Sequence, residues 1–428
     1  MSAQIVFLSL FLGIVAGRNP ISLQVSGPVK TIRMYVGDRE AAVLTQPPWR
    51  ATIDLGTELT PRALSAVGFD AKGVEIARAT QVLNLPRPEA EFDIVVDQGR
   101  VTLPWRHLMG LKPTGASVTF DGKPVAVDEN LRGKLPRLAM DTPHVIAAEM
   151  HFQDGFVARR ERVLQTEMSD SVGTELTPVI VRETAAQHPA SWDGCLVAAN
   201  GKAVRTAAVE DPRALMIVVR EPNPRDSESL MNISKTDLAR PMGRVLALDK
   251  GTVLRMMWPM AESYGHDNET KSLLFPTSQD YDAVQYGFLR FLHLNGPAAN
   301  DNEALRFADA VAVAGIRAVT GAQRRAVVLL LSRKADTSIH SPQTVRRYLA
   351  VLGVPLYVWS ASATVPQSGA AWGEVADVSS LPKLDEALQR VRRTLIEQRI
   401  AWVDVDPLTA LRLRADPKCG IETIAGVP

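Results

Sequence analysis

Cysteine is nearly absent from this chain of 428 residues: only Cys195 and Cys419 occur, beside seven histidines. That excludes zinc frameworks and disulfide-dense scaffolds and leaves at most one bridge. An excess of either charge is missing too. The 48 basic and 47 acidic side chains leave a formal net charge of +1, too weak a field to hold a phosphate backbone, so nucleic acid is not expected as a partner. The basic clusters at 159–162, 346–347 and 390–393 are interleaved with apolar residues, as solvated faces are.

Long hydrophobic runs are lacking as well. Residues 5–16 form an apolar stretch too short to span a membrane, ended by Gly17, Arg18, Asn19 and Pro20, and no later segment is long enough. Its length suits a signal-peptide core or a first strand. No Lys or Arg precedes it, and Ile21, Leu23 and Val25 alternate beyond it with Ser22 and Gln24, which favours the strand. Neither a glycine-rich phosphate loop nor a Gly-x-Ser-x-Gly elbow occurs. The densest cluster of candidate ligands or acid–base groups, His266, Asp267, Asn268 and Glu269, has no second histidine at helical spacing and reads as a solvated loop. Asp249 and Asp377, near element ends, read as caps rather than catalytic acids.

What is present is the composition of a folded protein, 46% hydrophobic and 22% charged. The length exceeds one ordinary core, and the pattern divides into three units at 1–86, 89–183 and 184–428. From residue 21 to 85, short alternating runs are closed by turn chemistry at Ser26-Gly27-Pro28, Gly37-Asp38, Pro47-Pro48 and Lys72-Gly73, which predicts an antiparallel β-sandwich with Trp49 in its core. Ile32, Met34 and Val36 before Gly37-Asp38, then residues 41–44, make a hairpin. Leu85-Pro86-Arg87-Pro88 reads as a linker. Residues 118–127 around Asp121-Gly122 then restate that hairpin, and 146–164 around Asp154-Gly155 restate 64–82 around Lys72-Gly73. The offset from Gly73 to Gly155 is 82 residues, the mark of a duplicated module. On Gly17 with the alternation after it, Val36-Gly37-Asp38, Pro47-Pro48-Trp49 and Asp70 to Gly73, the modules resemble bacterial immunoglobulin-like domains.

Beyond about Val181, strands alternate with helices, the signature of a parallel sheet with crossovers. Strands are expected at 214–219, 253–258, 326–331 and 354–359, and helices at 304–319, 342–352 and 381–398, with Gly321 and Gly353 as stops and Ser379-Ser380 as an N-cap pair. The order of helix, Arg324 to Leu331, loop with Asp336-Thr337-Ser338, helix, and Leu352 to Trp359 resembles the second half of a von Willebrand factor A domain, particularly of the bacterial, acidobacterial-type branch. Phe307-Ala308-Asp309-Ala310 is similar to that family's helix start, and Asn200-Gly201-Lys202 with Val204 and Val209 precedes the first strand as the family's pattern does.

The resemblance implies a doubly wound, Rossmann-like α/β domain with a ligand site at the C-terminal ends of its strands. In metal-binding relatives, an aspartate and two hydroxyls after the first strand, a threonine from a second loop and a later aspartate hold a hard divalent cation. Here those positions carry Arg220 and Glu221, Leu305, and Ser332 or Arg333, so the site is degenerate. Two arginines with Glu221 would fill it without metal, and no cofactor is expected. Asp226, Ser227 and Ser229 are the candidates for a shifted metal site, with a plain polar loop as the alternative. Cys195 and Cys419 flank the domain. They form a staple of roughly 4 to 5 kcal/mol in the entropy model if the protein is exported, or stay two buried thiols.

The modular order points to a non-catalytic binding, adhesion or scaffold protein acting on a protein partner, outside the cytoplasm in the periplasm, at the cell surface or secreted. The alternatives are an enzyme, such as a hydrolase, with an unrecognised site in the last domain, and a cytoplasmic assembly scaffold.

Overall fold

The computed structural model describes residues 3–424 except 10, 12, 89, 108–109, 137–143, 154–156, 165–172, 185–190, 224–245, 265–270, 298–303 and 363–366. Asp226, Ser227 and Ser229, the 266–269 cluster and the Asp154-Gly155 turn therefore lie outside the described residues. Among the described residues no helix is long and apolar enough to cross a membrane.

The alternation in the first module becomes two antiparallel sheets sharing one core. One runs Gln4–Phe7, Arg18–Ser26, Arg50–Asp54; the other runs Arg39–Leu44, Thr31–Val36, Arg62–Phe69, Glu75–Leu83. Period-two spacing sends Ile21, Leu23, Ile32, Met34, Leu64 and Ala66 inward. Ile5 and Phe7 join them, because Ile5 pairs with Val25 and Phe7 with Leu23. The start of the apolar stretch is thus a strand of this sheet. Trp49 is half-buried against the core rather than inside it.

In the second module Pro113–Phe120 turns through Asp121-Gly122 into Lys123–Val125 and pairs on its other edge with His144–Phe152, which pairs with Val157–Leu164. This repeats the order of the first module's four-stranded sheet, where Thr31–Val36 turns into Arg39–Leu44 and pairs with Arg62–Phe69, then Glu75–Leu83. Asp121 and Gly122 both take positive φ, 49° and 75°, the geometry that two-residue hairpin turns favour.

The expected boundary after residue 183 is not where the sheets divide. Among the described residues β1 (Thr177–Glu183) has no partner in the second module's sheet; it pairs antiparallel with β9 (Gln398–Val403) and β10 (Ile421–Thr423), and β9 pairs with β2 (Thr206–Glu210). Residues 184–428 are therefore not one domain. A small β unit is built from two stretches far apart in sequence, and the α/β unit is inserted between its second and third strands. Alternation gives this sheet two apolar faces: Val179, Val181, Ala401 and Val403 pack with Leu196, Leu413 and Ile421, whereas Ile180, Ile400 and Trp402 join the second module's core. Cys195 and Cys419 are disulfide-bonded within this unit, with Cα atoms 5.8 Å apart.

The inserted unit carries β3 (Ala214–Val219), β4 (Thr252–Met257), β5 (Tyr281–Asp282), β6 (Arg324–Leu330), β7 (Leu356–Ser360) and β8 (Ala376–Asp377) in one sheet, ordered β5-β4-β3-β6-β7-β8. All neighbours are parallel except β4 and β5. Numbered within the sheet, the order is 3-2-1-4-5-6. Every residue of β3 is buried, as a strand covered on both faces requires. α1 (Phe307–Thr320) packs on β3 and β6, α2 (Pro342–Val351) on α1, and α3 (Leu381–Glu397) on β6 and β8. Gly315 permits the α1–α2 approach, since a Cβ there would lie 2.7 Å from Leu349 Cδ1. Ser341 caps α2 by accepting from the Thr344 amide, whereas Ser380 makes no side-chain cap bond to α3. The first module docks on this unit: Leu59 enters its core, and the Tyr348 hydroxyl donates to the Asn84 carbonyl at 2.8 Å.

Candidate functional site

The continuous apolar runs of β3 and β6 end side by side, so the residues just beyond them meet at the C-terminal end of the sheet. There the chain turns polar at Arg220 and Glu221 after β3, and at Ser332 after β6. All three are buried. The Arg220 guanidinium, 1% exposed, donates to the carbonyls of Glu221 at 2.5 Å, Pro222 at 3.5 Å and Leu294. Among the described residues its Nε has no partner. Glu221 Oε2 accepts from Ser332 Oγ at 3.0 Å, and Ser332 Oγ in turn accepts from the Lys334 amide. Burial lowers the Arg220 pKa to about 10, with the Glu221 charge opposing the shift, so the group is a cation at neutral pH.

The Leu294 carbonyl is brought to Arg220 by a close backbone crossing. Gly296 donates its amide to the Pro222 carbonyl at 2.8 Å, and a Cβ at Gly296 would stand 2.6 Å from both Pro222 Cβ and Trp258 Nε1. Only a glycine fits there.

The other expected positions are used structurally. Leu305 is buried and its carbonyl accepts both the Thr337 amide, at 2.8 Å, and the Thr337 hydroxyl, at 3.0 Å. Arg333 is exposed. Of the two arginines expected to fill the site, only Arg220 does so; Ser332, not Arg333, reaches Glu221, because it is the inward-facing position at the end of β6. Asp336 caps α1 from outside the helix. Its carboxylate accepts from the Phe307 and Ala308 amides at 2.9 and 3.2 Å and from Ser338 Oγ at 2.6 Å, doing what the N-cap residue Arg306 does not. Asp309, 4% exposed, pairs with Arg306 at 2.6 Å and accepts from the Ile339 and His340 amides. The 332–341 loop is thereby tied to the start of α1. Reading Asp309 as a helix start missed this; the signal available was a second acidic-hydroxyl triplet, Asp336 to Ser338, with no helix of its own to begin.

In this arrangement backbone carbonyl oxygens take the place of water around a guanidinium, and the neighbouring carboxylate is hydrogen-bonded by a serine. Asp249 holds Arg392 at 2.7 Å, and Asp377, held down to about 2 by Lys383 and Ser379, accepts from the Ser379 amide at 2.8 Å just before α3. Among the described residues no three His, Cys, Asp or Glu side chains gather in a way that would hold a metal ion.

No protein-family model and no curated protein matches this sequence. Solved structures resemble it distantly. The fibronectin(III)-like modules of Clostridium thermocellum CbhA are 14% identical over 39% of this chain and 97% of that one, with a TM-score of 0.16. The ArnB paralog VWA2 from Sulfolobus acidocaldarius is 10% identical over 64% of this chain and 53% of that one, at 0.22. SGBP-B of the Bacteroides ovatus mixed-linkage glucan utilization locus, in complex with a mixed-linkage heptasaccharide, is 12% identical over 48% and 58%, at 0.15.

Proposed function

We propose that this chain is a non-catalytic modular binding protein whose inserted unit is a doubly wound, von Willebrand factor A-like domain in which an arginine has replaced the cation. Strand order 3-2-1-4-5-6 supports that assignment, because it is the order of doubly wound sheets whose ligands sit at the carboxyl ends of the strands. The observation that carries the reading is Arg220 with its carbonyl shell, a built-in cation where a metal-dependent relative needs oxygen ligands. The immunoglobulin-like modules serve as stalk or accessory surface, and a protein is the partner. The Cys195–Cys419 bridge fits an oxidising, extracytoplasmic compartment.

Metal-independent partner binding tests this. Full-length protein is immobilised and offered extract from its native source with EDTA or with magnesium, and is separately titrated with magnesium and manganese by calorimetry. The same retained partner under both conditions, and no stoichiometric metal heat, is the expected result. Retention that EDTA abolishes, or micromolar one-to-one metal binding lost in Asp226→Ala, would replace Arg220 with the shifted site.

A further inference from the structure

A second arginine is buried at the opposite end of the same sheet. Arg325, near the start of β6, is 4% exposed. Its Nε donates to the Gly353 carbonyl at 3.2 Å and its Nη2 to the Leu352 carbonyl at 3.1 Å. A guanidinium has five N–H donors, and among the described residues no carboxylate pairs with this one. Burial lowers its pKa to about 9 with no acidic neighbour opposing, so it too is charged at neutral pH.

Arg325 lines a cavity of about 50 Å³ between the parallel sheet and the split β unit, with Val179, Ile180 and Leu413 opposite. A second cavity, of about 140 Å³, adjoins it, and the two share Pro178, Val319, Leu352 and Leu411 in their walls. The larger one is also lined by Leu85, Phe92 and Trp402 and, among charged residues, by Glu91, Arg159 and Arg160, so the linker, the second module, the split β unit and the α/β unit all contribute. Its volume is close to the roughly 150 Å³ of apolar cavities that take up a benzene-sized ligand.

We propose that the paired cavities bind a small carboxylate with an apolar body: the carboxylate engages the free face of Arg325, and a ring or branched alkyl group fills the larger cavity. The planar fork matches a carboxylate in two parallel hydrogen bonds, and a buried cation without a counter-ion gains most from an anion brought in with it. The largely apolar lining favours a ligand with an apolar body over polyols, most of whose hydroxyls would lose water without replacement. Because several units form the walls, an occupant also locks their mutual arrangement.

Calorimetry of the full chain with phenylacetate, and with 2-phenylethanol as its neutral counterpart, tests the site. Phenylacetate is expected to bind one-to-one and at least tenfold more tightly than the alcohol. Arg325→Met removes that preference; should it fail to fold, Arg325→Lys, which keeps the charge without the fork, reduces it severalfold. Leu411→Trp, at a half-buried position in the shared wall, weakens both ligands at least tenfold. No saturable heat with millimolar phenylacetate, equal affinity for acid and alcohol, or a preference untouched by the variants would each overturn the proposal.

Discussion

The two ends of the parallel sheet each bury an arginine, and the surroundings make them opposites. At the carboxyl end Arg220 has Glu221 beside it and three carbonyls around it. At the amino end Arg325 has two carbonyls, no acid and an adjoining cavity. A buried cation closed in by backbone beside an acid becomes part of the core, whereas one with space beside it is a socket. The residue type is the same; the neighbours decide.

Removing each charge separates these roles. Arg220→Met takes the donor from the carbonyls of Glu221, Pro222 and Leu294 and a positive charge from beside the buried Glu221, and is expected to cost about 3–5 kcal/mol. Arg325→Met strands no acid and relieves a desolvated charge as it gives up two hydrogen bonds, so urea unfolding should place it within about 1 kcal/mol of the parent. Equal losses would erase the distinction. Next in size is the cover over the amino end. Replacing Cys195 and Cys419 by serine is expected to cost about 2–4 kcal/mol and to speed hydrogen exchange in β1 and β9 while β3 and β6 stay protected; uniform acceleration would mean that the two ends open together. At the carboxyl end, Asp336→Ala removes the borrowed cap of α1, with a loss of about 1–2 kcal/mol in thermal unfolding. The smallest effect belongs to Arg333→Ala, within about 0.5 kcal/mol of the parent because the side chain is exposed. A loss comparable to that of Arg220→Met would restore the two-arginine filling expected from the sequence.

The elements that sequence exposes are those whose pattern is local. The apolar run 214–219 is β3, the run ending at Leu331 is β6 with a shift of register at its ends, and the Gly37-Asp38 hairpin forms as its turn residues require. Invisible in sequence was the pairing of β1 with β9, because neither strand carries a mark of a partner more than 200 residues away and their two-faced apolarity fits several sheets. The same holds at the sites. The positions of Arg220 and Leu305 follow from spacing, but the arginine's fate depends on the Leu294 carbonyl delivered by the Gly296 crossing, and the cap of α1 comes from 29 residues beyond Phe307. Arg325 stands just before the expected strand 326–331, and nothing local marks its burial; its environment is made by the end of α2 and by the returning β unit.

The bridge between Cys195 and Cys419 has a mechanical meaning. It encloses residues 196–418, and with them the whole inserted unit, in a covalent bypass. Tension passing along the chain from the second module to the segment beyond Cys419 runs through the sulfur atoms and leaves the parallel sheet unloaded. A pulled molecule would extend its sandwiches and keep the inserted unit folded, its strand ends and its cavities presented unchanged under a load that would otherwise unravel them.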